Sequence, residues 1–253
     1  LCILIIAIYG VFVNILLSND DGYKSLGLIT LRERLNHFGK VFTVAPHKDI
    51  SASSSSLSVH NPVKVSLLSK DFYKVYGTPA DCVHIATRGL LNKYPDIVFS
   101  GVNFGSNMGD DVIYSGTVGA AIEGRHAKYG SYAISIASQK PKYLDDLQEN
   151  INHVINYIFQ ELIEYKSIFN INIPDIPNAQ IKGFKITKLG SRNISKRAKK
   201  VGNDPMSFDI GEVGKGNLLL KSDFDAINKN YISVTPITID MTDNDLIHKI
   251  KVK

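Results

Sequence analysis

Residues 14–27 read NILLSNDDGYKSLG, a short apolar run that turns abruptly polar. NILLS (14–18) has the length and composition of a buried strand. NDDGY ends it in an Asp-Asp-Gly turn. Leu28, Leu31, Leu35 and Phe38 then recur at helical spacing, and Gly39 follows as a C-cap. KVFTVAP (40–46) reads as the next strand, stopped by a proline. Strand, helix and strand in this order are a βαβ unit, the building block of a parallel sheet.

The pattern continues outward. HKDISASSSS (47–56) is a serine-rich loop, and VKVSLL (63–68) and YKVYG (73–77) read as strands. Thr78 is placed as an N-cap with Pro79 at the first helical position, and that helix runs to about Leu91. DIVFSG (96–101) is a buried strand. A glycine-rich loop, VNFGSNMGDD, follows it, then a helix of small residues from about Ser115 to Lys128. YAISIA (132–137) is a further strand. Leu144, Leu147, Ile151, Val154, Ile158 and Leu162 line one face of a long helix over 144–165. Beyond it INIPDIPNAQ (171–180) reads as a bend, IKGFKITKLG (181–190) as strand-like, and YISVTPITI (231–239) as a strand that Pro236 sends to an edge or ends. The reading is an α/β protein with a three-layer α/β/α Rossmann-like core and a mostly parallel sheet. Residues 14–253 form a single domain, with its core at about 14–170 and a C-terminal extension at about 181–253.

Composition narrows the class. The 253 residues are 44% hydrophobic and 21% charged, ordinary for a globular protein, and the formal charge of +5 is a weak pointer to anionic substrates. Cys2 and Cys82 stand in no CxxC or Cys/His cluster, which argues against a disulfide scaffold or a zinc site and fits a reducing compartment, so a cytoplasmic location is expected. The opening residues 1–13, LCILIIAIYGVFV, lack the basic start and cleavage site of a signal peptide. They are also shorter than the roughly 20 residues a membrane span needs. They read as an apolar extension preceding a domain whose first strand begins near Val13, and no membrane association is expected.

Polar residues gather where strands hand over to loops, the place where open α/β sheets bind ligands. In a turn closed by Gly22, Asp20 and Asp21 can converge on one cation, which relieves their mutual repulsion. All-oxygen ligation favours Mg²⁺, Mn²⁺ or Ca²⁺ over zinc. NDDG alone is also a common solvated turn. In GVNFGSNMGDDVIYSGTVGAA (101–121), Asn103 and Asn107 offer amide groups. Ser115, Gly116 and Thr117 stand at a helix start, where free N–H groups and the helix dipole attract phosphate. The seven histidines form no HxH or HxxxH pair, and His84 and His126 read as ordinary helix residues. SRNISKRAKK (191–200) reads as a solvated basic loop that can steer anions.

Taken together, NILLSNDDGYKSLG (14–27), VAPHKDISASSSSLS (44–58), VYGTPADCVHIA (75–86), PDIVFSGVNFGSNMGDDVIYSGTVGAAIEGR (95–125) and YISVTPITIDMT (231–242) resemble, in order, the signature segments of the SurE family. These are stationary-phase survival proteins that act as 5′/3′-nucleotidases. The resemblance spans roughly residues 14–242. It implies one divalent ion per subunit, Mg²⁺ or Mn²⁺, held by Asp20, Asp21, Ser51 and Asn103. It implies substrate or phosphate contacts from Asn107, Ser115, Gly116 and Thr117, with Asp20, Asp21, Asn107 and Ser115 as the catalytic set. The substrates it implies are nucleoside monophosphates, with short polyphosphate cut by some members, and the C-terminal extension is exchanged in a homodimer or homotetramer. No nucleic acid polymer is expected as a partner. Two positions depart from the family pattern. Ala52 stands where a glycine usually follows the serine, and Asn244 where many members carry a histidine.

The alternatives are a nucleotide-sugar transferase, which also uses adjacent aspartates, and a non-catalytic nucleotide-binding module. The first predicts dependence on a sugar acceptor, the second binding without phosphate release.

Overall fold

The computed structural model describes residues 13–202, 207–211, 213–247 and 249–250. The apolar residues 1–12 lie outside the described residues. Eleven strands and six α-helices are described: β1 (Val13–Ser18), α1 (Leu26–Leu35), β2 (Gly39–Pro46), β3 (Val65–Ser69), β4 (Phe72–Val75), α2 (Pro79–Ile85), β5 (Ile97–Phe104), α3 (Gly116–Glu123), β6 (Ser131–Ile136), α4 (Leu147–Tyr157), β7 (Ile168–Ile173), β8 (Phe184–Ile186), β9 (Lys199–Lys200), β10 (Phe208–Asp209), α5 (Asp223–Asn228), β11 (Ile232–Ile237) and α6 (Asn244–Ile247).

Nine strands join one sheet in the order β3-β4-β2-β1-β5-β6-β7-β11-β8. The central run from β4 to β7 is parallel; β3 is antiparallel to β4, and β11 to β7. Local chemistry explains the helix starts. Ser25 and Ser115 cap α1 and α3 through their hydroxyls, and Thr78 and Asp81 form a capping box at α2 with Pro79 in the first turn. The sheet is covered on both faces. Leu28, Leu31 and Leu35 of α1 and Ile151, Val154 and Ile155 of α4 pack on Ile15, Phe99, Ile134 and Ile171. Cys82, Val83 and Ala86 at α2 pack on Leu16, Val44 and Val98, while Val118 and Ala121 of α3 meet Ala133 and Ile168. The three-layer expectation holds.

Several boundaries differ from the sequence reading. Residues 168–173, IFNINI, form β7, and the bend begins only after Ile173. Both faces of this strand are buried, so its asparagines point into the protein and mimic a loop composition. β5 continues through Phe104, which puts Asn103 in a strand instead of a loop. The small-residue helix ends at Glu123, and the helices after Ile85 and Tyr157 finish in short π turns. Pro236 does not send β11 to an edge, because β11 lies between β7 and β8. β8 pairs only with Ile232–Val234, so beside Pro236 the missing N–H has no ladder to break on that side. From residue 181 onward the chain is not wholly peripheral: β8 and β11 complete the main sheet, while β9 and β10 form a separate two-stranded ribbon.

From β1 the chain winds to β2 on one side, and from β5 to β6 and β7 on the other. The carboxyl ends of β1 and β5 therefore flank a topological switch point, where an open sheet leaves a crevice.

Candidate functional site

Both ends of this crevice carry the acidic and amide residues. Asp20, two residues beyond β1, is buried, and both its oxygens face the first turn of α3. Thr117 Oγ1 donates to Oδ1 at 2.5 Å and Thr117 N donates to Oδ2 at 3.1 Å. Thr117 thus gives both its amide and its hydroxyl hydrogen to Asp20. Asp21 Oδ2 accepts from the Phe104 amide at 3.3 Å, which ties the turn to the end of β5 beside Asn103. Asn103 Nδ2 donates one hydrogen to the Gly105 carbonyl at 2.7 Å, and its Oδ1 has no donor among the described residues. Asn19 holds the turn itself, donating to Gly22 O and Ser25 Oγ.

The serine-rich loop is drawn onto the same point. Ile50 N donates to Asp20 O at 2.9 Å, and Ser54 N to Tyr114 O at 3.0 Å. Gly116 shows why α3 starts with small residues. A Cβ there would stand 2.9 Å from Asp20 Cβ and 2.8 Å from Ser53 Oγ. Ser51 is exposed and its Oγ donates to Asp49 Oδ1 at 2.5 Å. Ser115 and Asn107 are both buried. Ser115 Oγ caps Val118 N at 3.0 Å, and Asn107 Nδ2 donates to Ser135 Oγ at 2.8 Å. Ser135 is also the register partner of Asn103, so Asn103 and Asn107 share it.

Electrostatically the turn is under-neutralised. Burial pushes the Asp20 carboxyl up, partly offset by the Thr117 bonds. Burial, then the neighbouring Asp20 charge, push Asp21 up to about 7. Asp49 adds repulsion to both. Among the described residues no lysine or arginine forms an ion pair with these three carboxylates. Nor do three His, Cys, Asp or Glu side chains gather as a metal cluster. The donor set fits a hard cation nevertheless: two carboxylates, an amide oxygen and a hydroxyl, all oxygen.

Sequence reasoning missed Asp49, Asn170, Asn172 and Asp223. Asp49 lies two residues before Ser51 in the quoted loop. Asp223 is fully buried and accepts from Gly109 N, Gly190 N and Phe224 N at 2.7–2.9 Å, pinning the glycine loop to the segment after β8. Arg192, from the basic run, forks onto Asp111 and donates its N–H to Asp110, so it serves the same loop. His84 pairs with Glu123 at 2.8 Å and is remote from this chemistry.

A doubly covered parallel sheet with an acidic turn and a helix tip at its switch point defines the class as an open-sheet α/β protein with its polar crevice at the strand carboxyl ends. Comparison with known proteins narrows the class. The family model described as "Survival protein SurE" matches residues 15–196. The 5′/3′-nucleotidase SurE of Wigglesworthia glossinidia brevipalpis is 45% identical over 242 residues, covering 94% of this chain and 96% of the relative. The 5′-nucleotidase SurE of Ruthia magnifica is 44% identical over 230 residues, covering 90% and 93%. The crystal structure of the SurE protein from Aquifex aeolicus superposes with a TM-score of 0.80 at 36% identity, covering 94% of this chain and 98% of that one. The chain belongs to the SurE family.

Proposed function

We propose that this chain is a metal-dependent 5′-nucleotidase that hydrolyses nucleoside monophosphates to nucleoside and phosphate, with 3′-nucleotidase and exopolyphosphatase activity as further reactions of the same site. The observation that carries the metal is the crowding of Asp20, Asp21 and Asp49 with no basic partner among the described residues. Asp20, Asp21, Ser51 and Asn103 would hold the ion. A divalent cation bound there supplies charge neutralisation and water activation for phosphoryl transfer.

The chain's own groups do the rest. Thr117 locks the Asp20 carboxylate in one orientation through two bonds. Phe104 N holds one oxygen of Asp21 through a single bond. Asp49 accepts the Ser51 proton-bearing hydroxyl bond, turning the oxygen lone pairs outward from that contact. Asn107 keeps a second amide hydrogen beyond the one given to Ser135, free to meet a phosphate oxygen. With Thr117 N occupied, the Gly116 N–H and the α3 dipole remain to attract the anion. Phosphoryl transfer is mostly positioning and electrostatics, so few acid/base residues are needed.

Self-association as a homodimer or homotetramer belongs to the same proposal. Phe208, Ile210, Val213 and Leu220 are exposed on the C-terminal part, an apolar surface of the kind that marks interfaces. Light scattering of the purified protein measures it. No helix among the described residues is long and apolar enough to cross a membrane.

Phosphate release from AMP and GMP with Mn²⁺ or Mg²⁺ tests the function. Release that EDTA abolishes and added metal restores is the expected result. Nucleotide binding without release would make the chain a binding module instead, and release requiring a sugar acceptor would make it a transferase.

A further inference from the structure

β7 carries Asn170 and Asn172 at alternate positions, both fully buried, on the sheet face opposite the α1 and α4 cluster. A strand buried on both faces normally presents apolar residues there. Here both amides converge on a single residue of the glycine loop. Asn172 Oδ1 accepts the Asn107 N–H at 2.9 Å and Asn172 Nδ2 donates to the Asn107 carbonyl at 3.0 Å, so one side chain pairs with both polar groups of that residue's backbone. Asn170 Nδ2 donates to the same carbonyl at 2.7 Å. We propose that Asn170 and Asn172 are positioning residues that fix where Asn107 presents its amide to the substrate phosphate. This rests on the reading that Asn107 contacts phosphate.

Two features argue for positioning over simple packing. Gly105 and Gly109, which bracket Asn107, have φ of 142° and 54°, so the segment between them cannot continue the β5 ladder. The β7 side chains supply the pairing that a neighbouring strand would otherwise give. Asn170 Oδ1, moreover, is buried with no partner among the described residues. An apolar residue at 170 would carry no such acceptor. Holding a binding group to within an ångström has large kinetic weight, because misplacement on that scale reduces rate by up to about a hundredfold.

The test uses the Mn²⁺-loaded enzyme and the variants Asn170→Leu, Asn172→Ala and Asn107→Ala. AMP kinetics, Mn²⁺ affinity and thermal stability are measured for each, and for the doubles with Asn107→Ala. Asn170→Leu should melt no lower than the parent, because it removes an unpaired buried carbonyl. Its kcat/KM should nevertheless fall about tenfold, the worth of one positioning hydrogen bond, with Mn²⁺ affinity unchanged. In the Asn107→Ala background that penalty should shrink below about threefold, as expected of residues acting as one unit. Should Asn172→Ala fail to fold, Asn170→Leu carries the test alone. Parent-like kcat/KM in Asn170→Leu, a parallel loss of Mn²⁺ affinity, a lower melting temperature for Asn170→Leu, or an undiminished penalty in the double would each overturn the proposal. Parent-like activity in Asn107→Ala would instead overturn the phosphate reading beneath it.

Discussion

The strand ends of β1 and β5 and those of β6 and β7 adjoin in one sheet, yet they are built on opposite principles. At the first, Asp20 and Asp21 crowd together with Asp49 near them, and the Asp20 and Asp21 carboxyls are pushed toward protonation. At the second, Ser135, Asn170 and Asn172 are uncharged and bond to Asn107 within the protein. On the proposed reading a cation completes the acidic half, whereas the amide half is already hydrogen-bonded within the protein. Ligand binding should therefore stabilise the first and leave the second nearly unchanged.

The largest effect that would break this contrast comes from Asp21→Asn. It removes a proposed ligand and one repelling charge together. Phosphate release from AMP at limiting Mn²⁺ should fall by about 10²–10³-fold, in the range for losing one electrostatic contact to a transition state. Melting of the variant in EDTA at pH 8 should be no lower than that of the parent, since the repulsion is gone. Full activity at limiting metal would refute the site.

Metal removal comes next. The folded-state pKa of Asp21, about 7, exceeds its unfolded value near 3.8, and Asp20 is shifted the same way. The metal-free fold thus binds more protons than the unfolded chain between about pH 4 and 7. The stability contributed by these groups is complete below about pH 4 and is lost as pH rises through about 7. A cation competes for the same oxygens, so Mn²⁺ should raise the melting temperature little at pH 5. At pH 8 it should raise it by about 5–10 °C when present at a hundredfold excess over Kd. Equal increments at the two pH values would remove the carboxylates from the explanation.

Asp223→Asn probes the joint between the glycine loop and the segment after β8. The carboxylate accepts three buried N–H groups, and an amide has only one oxygen to offer. At least one donor loses its acceptor, at about 1–3 kcal/mol, or several degrees in melting temperature. Calorimetry would show it, and a variant as stable as the parent would mean that Gly109 and Gly190 find other partners.

How far the sequence disclosed these halves follows from their chemistry. The acidic turn is contiguous in the chain, and NDDG after an apolar strand is a local pattern. The capped starts of α2 and α3 are equally local, since Thr78, Pro79 and Ser115 act within one turn. The amide half is assembled from residues 63–65 positions apart. In isolation IFNINI carries no mark of a buried face, because two asparagines in strand alternation look like surface residues. Asp223 lies 114 residues from Gly109. Its role depends on β11 lying inside the main sheet with β8 beyond it, whereas the Pro236 signal pointed to an edge or an end.

The smallest effect concerns Ala52, which departs from the glycine usual in SurE members. Ala52 has φ of 57°, in the left-handed region that a Cβ disfavours by about 1–2 kcal/mol. Ala52→Gly removes that strain but gives the unfolded chain more freedom, worth about 0.4–1 kcal/mol in the other direction. The net expectation is a gain of about 0.5–1 kcal/mol, seen as roughly 2 °C in melting temperature. Because Ser51 is held by Asp49, and Ser54 by the Tyr114 and Ile113 carbonyls, the loop has anchors on either side of residue 52. Mn²⁺ affinity should accordingly stay within about twofold of the parent, less than 0.5 kcal/mol. A variant that gains stability but loses metal affinity would show that the strained residue itself sets the serine in place, and the acidic half would then share the preassembled character of its neighbour.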